Sequence, residues 1–261
     1  MIKYENEDRS RLAPLLRGVG DSMVLSYLQG YMGDAFTRSA NEINAVVVIS
    51  GKYSFWGGDS NSPEADYLTE HFFDVAWAES SIAIFAQDNP GWGAALLRQK
   101  KNNPVAAQRF HIAQKDYDFD IARLQAYRAS LSRDFTLRPF DLAVYRAAMA
   151  EEWSSEFCEV FASGRDYLNR GFGFAAIYQG RLVSGSSTMT VYDKGAEIKV
   201  ATREDFRRKG LALPCAAATV LECLNRKMRP HWDAANAISK KMALKLGYEC
   251  IGEYTAIHLH R

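Results

Sequence analysis

The sequence predicts an α/β chain: mixed sheets with helices on both faces, in two halves. Three observations carry that reading. From residue 135 onward the apolar periodicity runs strand, helix, helix, three strands, helix, strand, helix and two strands. The first half shows a rougher version of the same alternation. The third observation is EIKVATREDFRRKGLA, Glu197 to Ala212, where a strand signal passes through a basic loop into a long helix.

Taken in order, DSMVLSYLQGYM (21 to 32) reads as a helix capped by Asp21, with Met23, Tyr27 and Tyr31 at four-residue steps. AVVVI (45 to 49) and YSFW (53 to 56), parted by Ser50-Gly51-Lys52, read as a hairpin. A helix over 64 to 76, a strand over 82 to 85 and a helix opening at Asn89-Pro90-Gly91 follow. RFHIA (109 to 113) is a strand, and 120 to 132 a helix that ends the first half. The second half restarts with a strand over 137 to 141 and helices over 142 to 152 and 154 to 162. FGFAAIY (172 to 178), the turn at Gln179-Gly180 and RLVSGSSTMT (181 to 190) form a hairpin that the strand at Glu197 extends. The spacing then predicts a helix over 210 to 227, a strand over 230 to 233 and a helix over 236 to 246 with Gly247 as its C-cap. Two final strands over 248 to 259 break at Gly252-Glu253.

The 261 residues are 48% hydrophobic, which suits a globular core, and carry a formal net charge of +1. Acidic and basic residues are intermixed, so nothing draws the whole chain to nucleic acid or membrane; an anion site must be local. No apolar run approaches the ~20 residues that span a bilayer, and the N-terminus lacks a signal core. The expectation is a soluble cytoplasmic protein. Cys158, Cys215, Cys223 and Cys250 form no CxxC pair, and the five histidines show no ligand spacing. Reduced cysteines and no metal are expected.

Within Glu197 to Ala212, Ile198 and Val200 alternate with Glu197 and Lys199 on the two faces of the strand. Arg207, Arg208 and Lys209 precede Gly210 at the helix start, where unpaired N–H groups and the positive end of the dipole favour a phosphate. A pyrophosphate is expected there.

These residues carry a resemblance. Arg207, Gly210 and Ala212 match the Q/R-x-x-G-x-G/A acetyl-coenzyme A signature of the GNAT N-acetyltransferase superfamily, and NAISKKMALKLGY (236 to 248) resembles that superfamily's second conserved segment. The stretch from 135 to 259 is similar to the subgroup that includes zwittermicin A resistance acetyltransferases; over 1 to 134 only length and layout agree. The resemblance implies a C-terminal GNAT-like acyl-CoA N-acyltransferase fold over 135 to 261, preceded by a smaller, degenerate GNAT-like half over 1 to 134 that shapes the acceptor pocket.

It also implies roles. Backbone groups of Val200, Ala201 and Thr202 pair with the pantetheine arm of acetyl-CoA. The loop and helix start at Arg207, Arg208, Lys209, Gly210, Leu211 and Ala212 hold the pyrophosphate, and Asn236 and Ser239 bind the arm. The activity implied is N-acetyl transfer to a small-molecule amine, with acetyl-CoA as cosubstrate and neither metal, nucleic acid nor membrane involved. An amine must lose a proton to attack a thioester, and Glu197 is the first candidate base, Asp233 the second. The tyrosine that many members use to protonate the leaving thiol is replaced by Ala243. That vacancy keeps a non-catalytic coenzyme A sensor open as an alternative, beside an N-acyltransferase that uses a longer acyl donor.

Overall fold

A computed structural model describes residues 1–5, 8–113 and 118–261. The strands in chain order are β1 (Ile2–Lys3), β2 (Asp34–Thr37), β3 (Ala45–Ser50), β4 (Tyr53–Gly58), β5 (Ser80–Phe85), β6 (Val105–Ile112), β7 (Thr136–Pro139), β8 (Gly173–Tyr178), β9 (Arg181–Tyr192), β10 (Gly195–Thr202), β11 (Arg229–His231) and β12 (Cys250–His260). The helices are α1 (Ser22–Leu28), α2 (Pro63–Glu70), α3 (Phe72–Val75), α4 (Gly91–Arg98), α5 (Ile121–Ala129), α6 (Leu142–Met149), α7 (Glu152–Ser155), α8 (Gly164–Arg170), α9 (Ala212–Asn225) and α10 (Ala237–Leu246).

The chain divides into two units, residues 1–109 with 253–261, and residues 110–252. The expected division at 134 and 135 differs from this at both ends. Leu124 of α5 is buried in one core with Ala216, Ala217 and Val220 of α9, so α5 belongs to the second unit. The end of β12 pairs with β5 in the first unit.

In the first unit the sheet order is β1-β2-β3-β4-β5-β12-β6. Every residue of β3 is buried, as a β-branched strand covered on both faces should be. Gly51 takes φ +59° in the turn to β4, and β4 runs parallel to β5. Trp56 packs its ring 5.2 Å from Phe72 and 5.5 Å from Trp92, which centres this core on three large rings. Asp21 caps α1 by accepting from the Met23 N–H at 2.7 Å. The helix expected over 64 to 76 is two: Ser62 and Pro63 start α2, which stops at His71, and α3 follows.

The second unit has sheet order β11-β10-β9-β8-β7, antiparallel except for β10 with β11. Helix α9 covers the face that carries Ile198 and Val200. On the other face Phe140 meets Phe157 edge to face and Tyr167 of α8 at a tilt, with ring centres 5.7 and 5.8 Å apart. The expected helix over 154 to 162 is only the turn α7; Ser163 instead caps an unexpected α8 by accepting from the Asp166 N–H at 3.1 Å. The two strands expected after 248 are one continuous β12, because Gly252 stays in the extended pairing and does not turn the chain. Tyr248 is buried and its hydroxyl donates to the Pro230 carbonyl at 3.0 Å. Tyr248→Phe leaves that buried carbonyl unpaired, and urea denaturation is expected to show a loss of about 1–3 kcal/mol.

Candidate functional site

The site begins where two parallel strands part. Strand β10 pairs with β11 over three rungs, Gly195 with Arg229, Ala196 with Pro230 and Glu197 with His231, and there the pairing stops. On its other side β10 stays paired with β9 out to Thr202 and Ser184. Residues 198 to 202 therefore present one backbone edge without a strand partner among the described residues. Such an edge, in the interior of a unit, is a ready partner for an amide chain. Val200, Ala201 and Thr202, the residues assigned to the pantetheine arm, lie on it.

The strand ends in the basic loop. Arg208 takes φ +62° and Gly210 φ +77°, which turn successive N–H groups outward ahead of α9. The N–H groups of Arg208, Lys209, Gly210 and Leu211 donate to no protein acceptor among the described residues. Unpaired donors grouped at the start of a helix of fourteen residues are the kind of place that suits an anion. That helix begins at Ala212 and not at Gly210, since a left-handed residue lies outside the helical run. Arg208 and Lys209 are exposed, and the Lys209 ammonium lies 4.5 Å from the Phe206 ring centre. Arg207 turns back instead, with Nε 3.5 Å from the Thr202 carbonyl and a guanidinium nitrogen 3.9 Å from Glu204.

Asn236 opens α10, and its side-chain oxygen accepts from the N–H groups of Ile238 and Ser239, both at 3.0 Å. The carboxamide NH₂ is left as its outward donor. Ser239 takes the Trp232 indole N–H at 3.1 Å. Asn236 is thus the N-cap of α10.

Glu197 and Asp233 meet in an unexpected way. Glu197 is 5% exposed, and its carboxylate accepts from the backbone N–H of Asp233 at 3.0 Å. Lys199 forms its ion pair with Glu156, next to α7, a partner 43 residues away that no local spacing reveals. Arg203 pairs with Asp205 at 3.1 Å and lies 3.7 Å from Glu151.

No phenol stands at the place of the family tyrosine. Ala243 is fully buried in the core under α9, and Tyr248 spends its hydroxyl on Pro230. Burial holds the Tyr248 phenol well above its ordinary range. Tyr254 accepts from Arg109 Nε in the first unit. The cysteines are free, and burial pushes Cys215 up to about 12, so it is an inert thiol at neutral pH. Among the described residues no cluster of three or more His, Cys, Asp or Glu side chains could hold a metal, and no helix is long and apolar enough to cross a membrane.

Sequence reasoning passed over His231, which it considered only as a metal ligand. The ring is 6% exposed and lies tilted against Tyr192, with ring centres 5.2 Å apart. Burial, with Arg229 as a smaller cause, lowers its pKa from 6.5 to about 4. Between those values the unfolded chain binds a proton that the folded chain refuses, so stability falls as the pH drops from 6.5 to about 4. His231→Gln is expected to remove about 3 kcal/mol of that acid-side loss, measured by urea denaturation across this range.

The GNAT acetyltransferase family model matches residues 13–257. A Bacillus subtilis (strain 168) protein called uncharacterized N-acetyltransferase YdfB is 24% identical over 208 residues, covering 79% of this chain and 77% of that one. The crystal structure of a GCN5-related N-acetyltransferase-like protein from Streptococcus suis 89/1591 superposes with a TM-score of 0.87 at 29% identity, covering 97% of this chain and 99% of the other. A GCN5-related N-acetyltransferase from Kribbella flavida shares the fold at a TM-score of 0.55 and 15% identity, covering 98% and 96%. With an open strand edge leading into an anion cradle, and a family match spanning both units, the chain belongs to the GNAT acetyltransferase family and its chemistry is acyl transfer.

Proposed function

We propose that the protein is an N-acetyltransferase that moves an acetyl group from acetyl-CoA to the amine of a small molecule by direct attack on the thioester. The observation that carries this is the parting of β10 from β11 at Glu197 and His231, followed by the N–H cradle of 208 to 211. In this reading the edge of Val200 to Thr202 holds the amide-rich arm, and the cradle with Arg208 and Lys209 holds the diphosphate. Asn236 donates its NH₂ to the arm. An N–H near Val200 stabilises the oxyanion that forms as the amine attacks. The departing thiolate takes its proton from solvent, since Ala243 and Tyr248 are both committed to the core. The similarity of residues 135 to 259 to zwittermicin A resistance acetyltransferases supports a small amine as acceptor, and a cytoplasmic enzyme suits this chemistry.

The test is calorimetric titration with acetyl-CoA, followed by incubation with a broad amine panel read by release of free thiol. Binding with thiol release on at least one amine is expected. Absence of binding would sink the reading. Binding without turnover on any amine marks a coenzyme A sensor, and faster release from long-chain thioesters than from acetyl-CoA marks a different acyl donor.

A further inference from the structure

Acyl transfer to an amine sheds one proton at nitrogen, and two groups at the apex of the splay stand ready for it. Thr190 on β9 pairs with Glu197 on β10, and Glu197 pairs with His231 on β11. Residues paired across a sheet project to the same face, so these three side chains form one polar row. Ile198 and Val200 pack with α9 on the opposite face. The row is the last rung before the strands separate.

Glu197 is already occupied. Its bond to the Asp233 N–H runs from β10 to the chain just past β11, where no backbone rung joins them. The carboxylate thus stands in for the next rung and sets how far the strands open. That oxygen cannot take a proton without loosening the clasp. His231 is different, because neither ring nitrogen has a hydrogen-bond partner among the described residues. Its charged or titratable neighbours are Arg229 on its own strand, Glu197 on β10 and Tyr192 on β9. The Thr190 hydroxyl, fully buried in the same row, also has no partner. Buried polar groups are seldom left so, and a bound polar ligand or water would satisfy it.

We propose that His231 takes the proton from the acceptor amine, and that Glu197 is a positioning residue that clasps the splayed strands. The inference rests on the acetyltransferase reading above. As the amine nitrogen bonds to the thioester carbonyl carbon, its proton passes to the unprotonated ring nitrogen of His231. The C–S bond then breaks with its electron pair on sulfur, solvent protonates the thiolate, and the imidazolium returns its proton to solvent. Burial keeps the ring unprotonated and also disfavours the imidazolium, so the ring holds the proton only until solvent takes it.

The experiment compares the whole protein with His231→Ala, His231→Gln, Glu197→Gln and Glu197→Ala, measuring acetyl-CoA affinity by calorimetry and kcat and KM on the best amine of the panel. Both His231 variants are expected to lose about 100-fold or more in kcat, with acetyl-CoA affinity within about two-fold of the parent. Added imidazole is expected to restore part of the rate to His231→Ala and nothing to Glu197→Ala. Glu197→Gln, whose amide oxygen still accepts from the Asp233 N–H, is expected to keep at least about ten times the activity of Glu197→Ala, which also binds acetyl-CoA more weakly. A kcat within about five-fold of the parent in His231→Gln, or equal losses in the two Glu197 variants, overturns the proposal while acetyl-CoA binding stands. If the parent itself binds no acetyl-CoA, the acetyltransferase reading falls, and this inference with it.

Discussion

Gly210→Glu is expected to abolish acetyl-CoA binding, with a loss of about 100-fold or more in affinity by calorimetry. Three effects act together. Gly210 holds φ +77°, a conformation that costs any residue with a Cβ roughly 1–2 kcal/mol. The new carboxylate would sit among the N–H groups of Arg208 to Leu211, where an anion is to bind, and would repel it. It would also pair with Arg208 or Lys209 and cancel their charge. A Cβ at this position meets nothing within 4 Å, so the fold should survive and the loss should be one of binding alone. Arg226→Gln, at the far end of α9 where Arg226 pairs with Glu222 at 2.8 Å, is expected to leave binding unchanged. Equal losses in both variants would place the diphosphate elsewhere.

Phe157→Ala is expected to lower stability by about 3–5 kcal/mol in urea denaturation, the usual range for emptying a large aromatic site. Phe157 is fully buried, with ring centres of Phe140 and Trp153 at 5.7 and 6.1 Å. Its ring also fills the space above Gly185, where an added Cβ would meet it at 3.2 Å, so the sheet cannot supply a side chain to close the hole. The backbone carbonyl of Phe157 takes the Ser187 hydroxyl at 3.0 Å, which pins the segment after α7 to β9. Glu156, the partner of Lys199, lies on that segment. The variant should therefore weaken the docking of α7 on β10 as well, and Phe157→Leu should lose much less. A loss under about 1 kcal/mol for Phe157→Ala would show that neighbouring rings collapse into the space.

Local chemistry made parts of both units legible. Asp21, Asn236 and Gly247 terminate helices as their positions in the chain imply, because a cap bonds to atoms two or three residues away. The hairpin of β3 and β4 follows from two apolar runs around Gly51. The chain over 154 to 162 is not the expected helix because Phe157 and Phe161, spaced four apart as on a helical face, pack instead on Phe140 and on Tyr167 of α8.

By itself the sequence determined the strand end, the basic loop and the helix start that follow one another from Glu197 to Ala212, since these lie within sixteen consecutive residues whose backbone preferences are local. Only the tertiary structure decided that Glu197 reaches the Asp233 backbone, that His231 shares its rung and that Ala243 is sealed in the core. The physical reason is the register of two parallel strands. It is set by how α9 packs in the crossover between them, and no pattern within either strand encodes it.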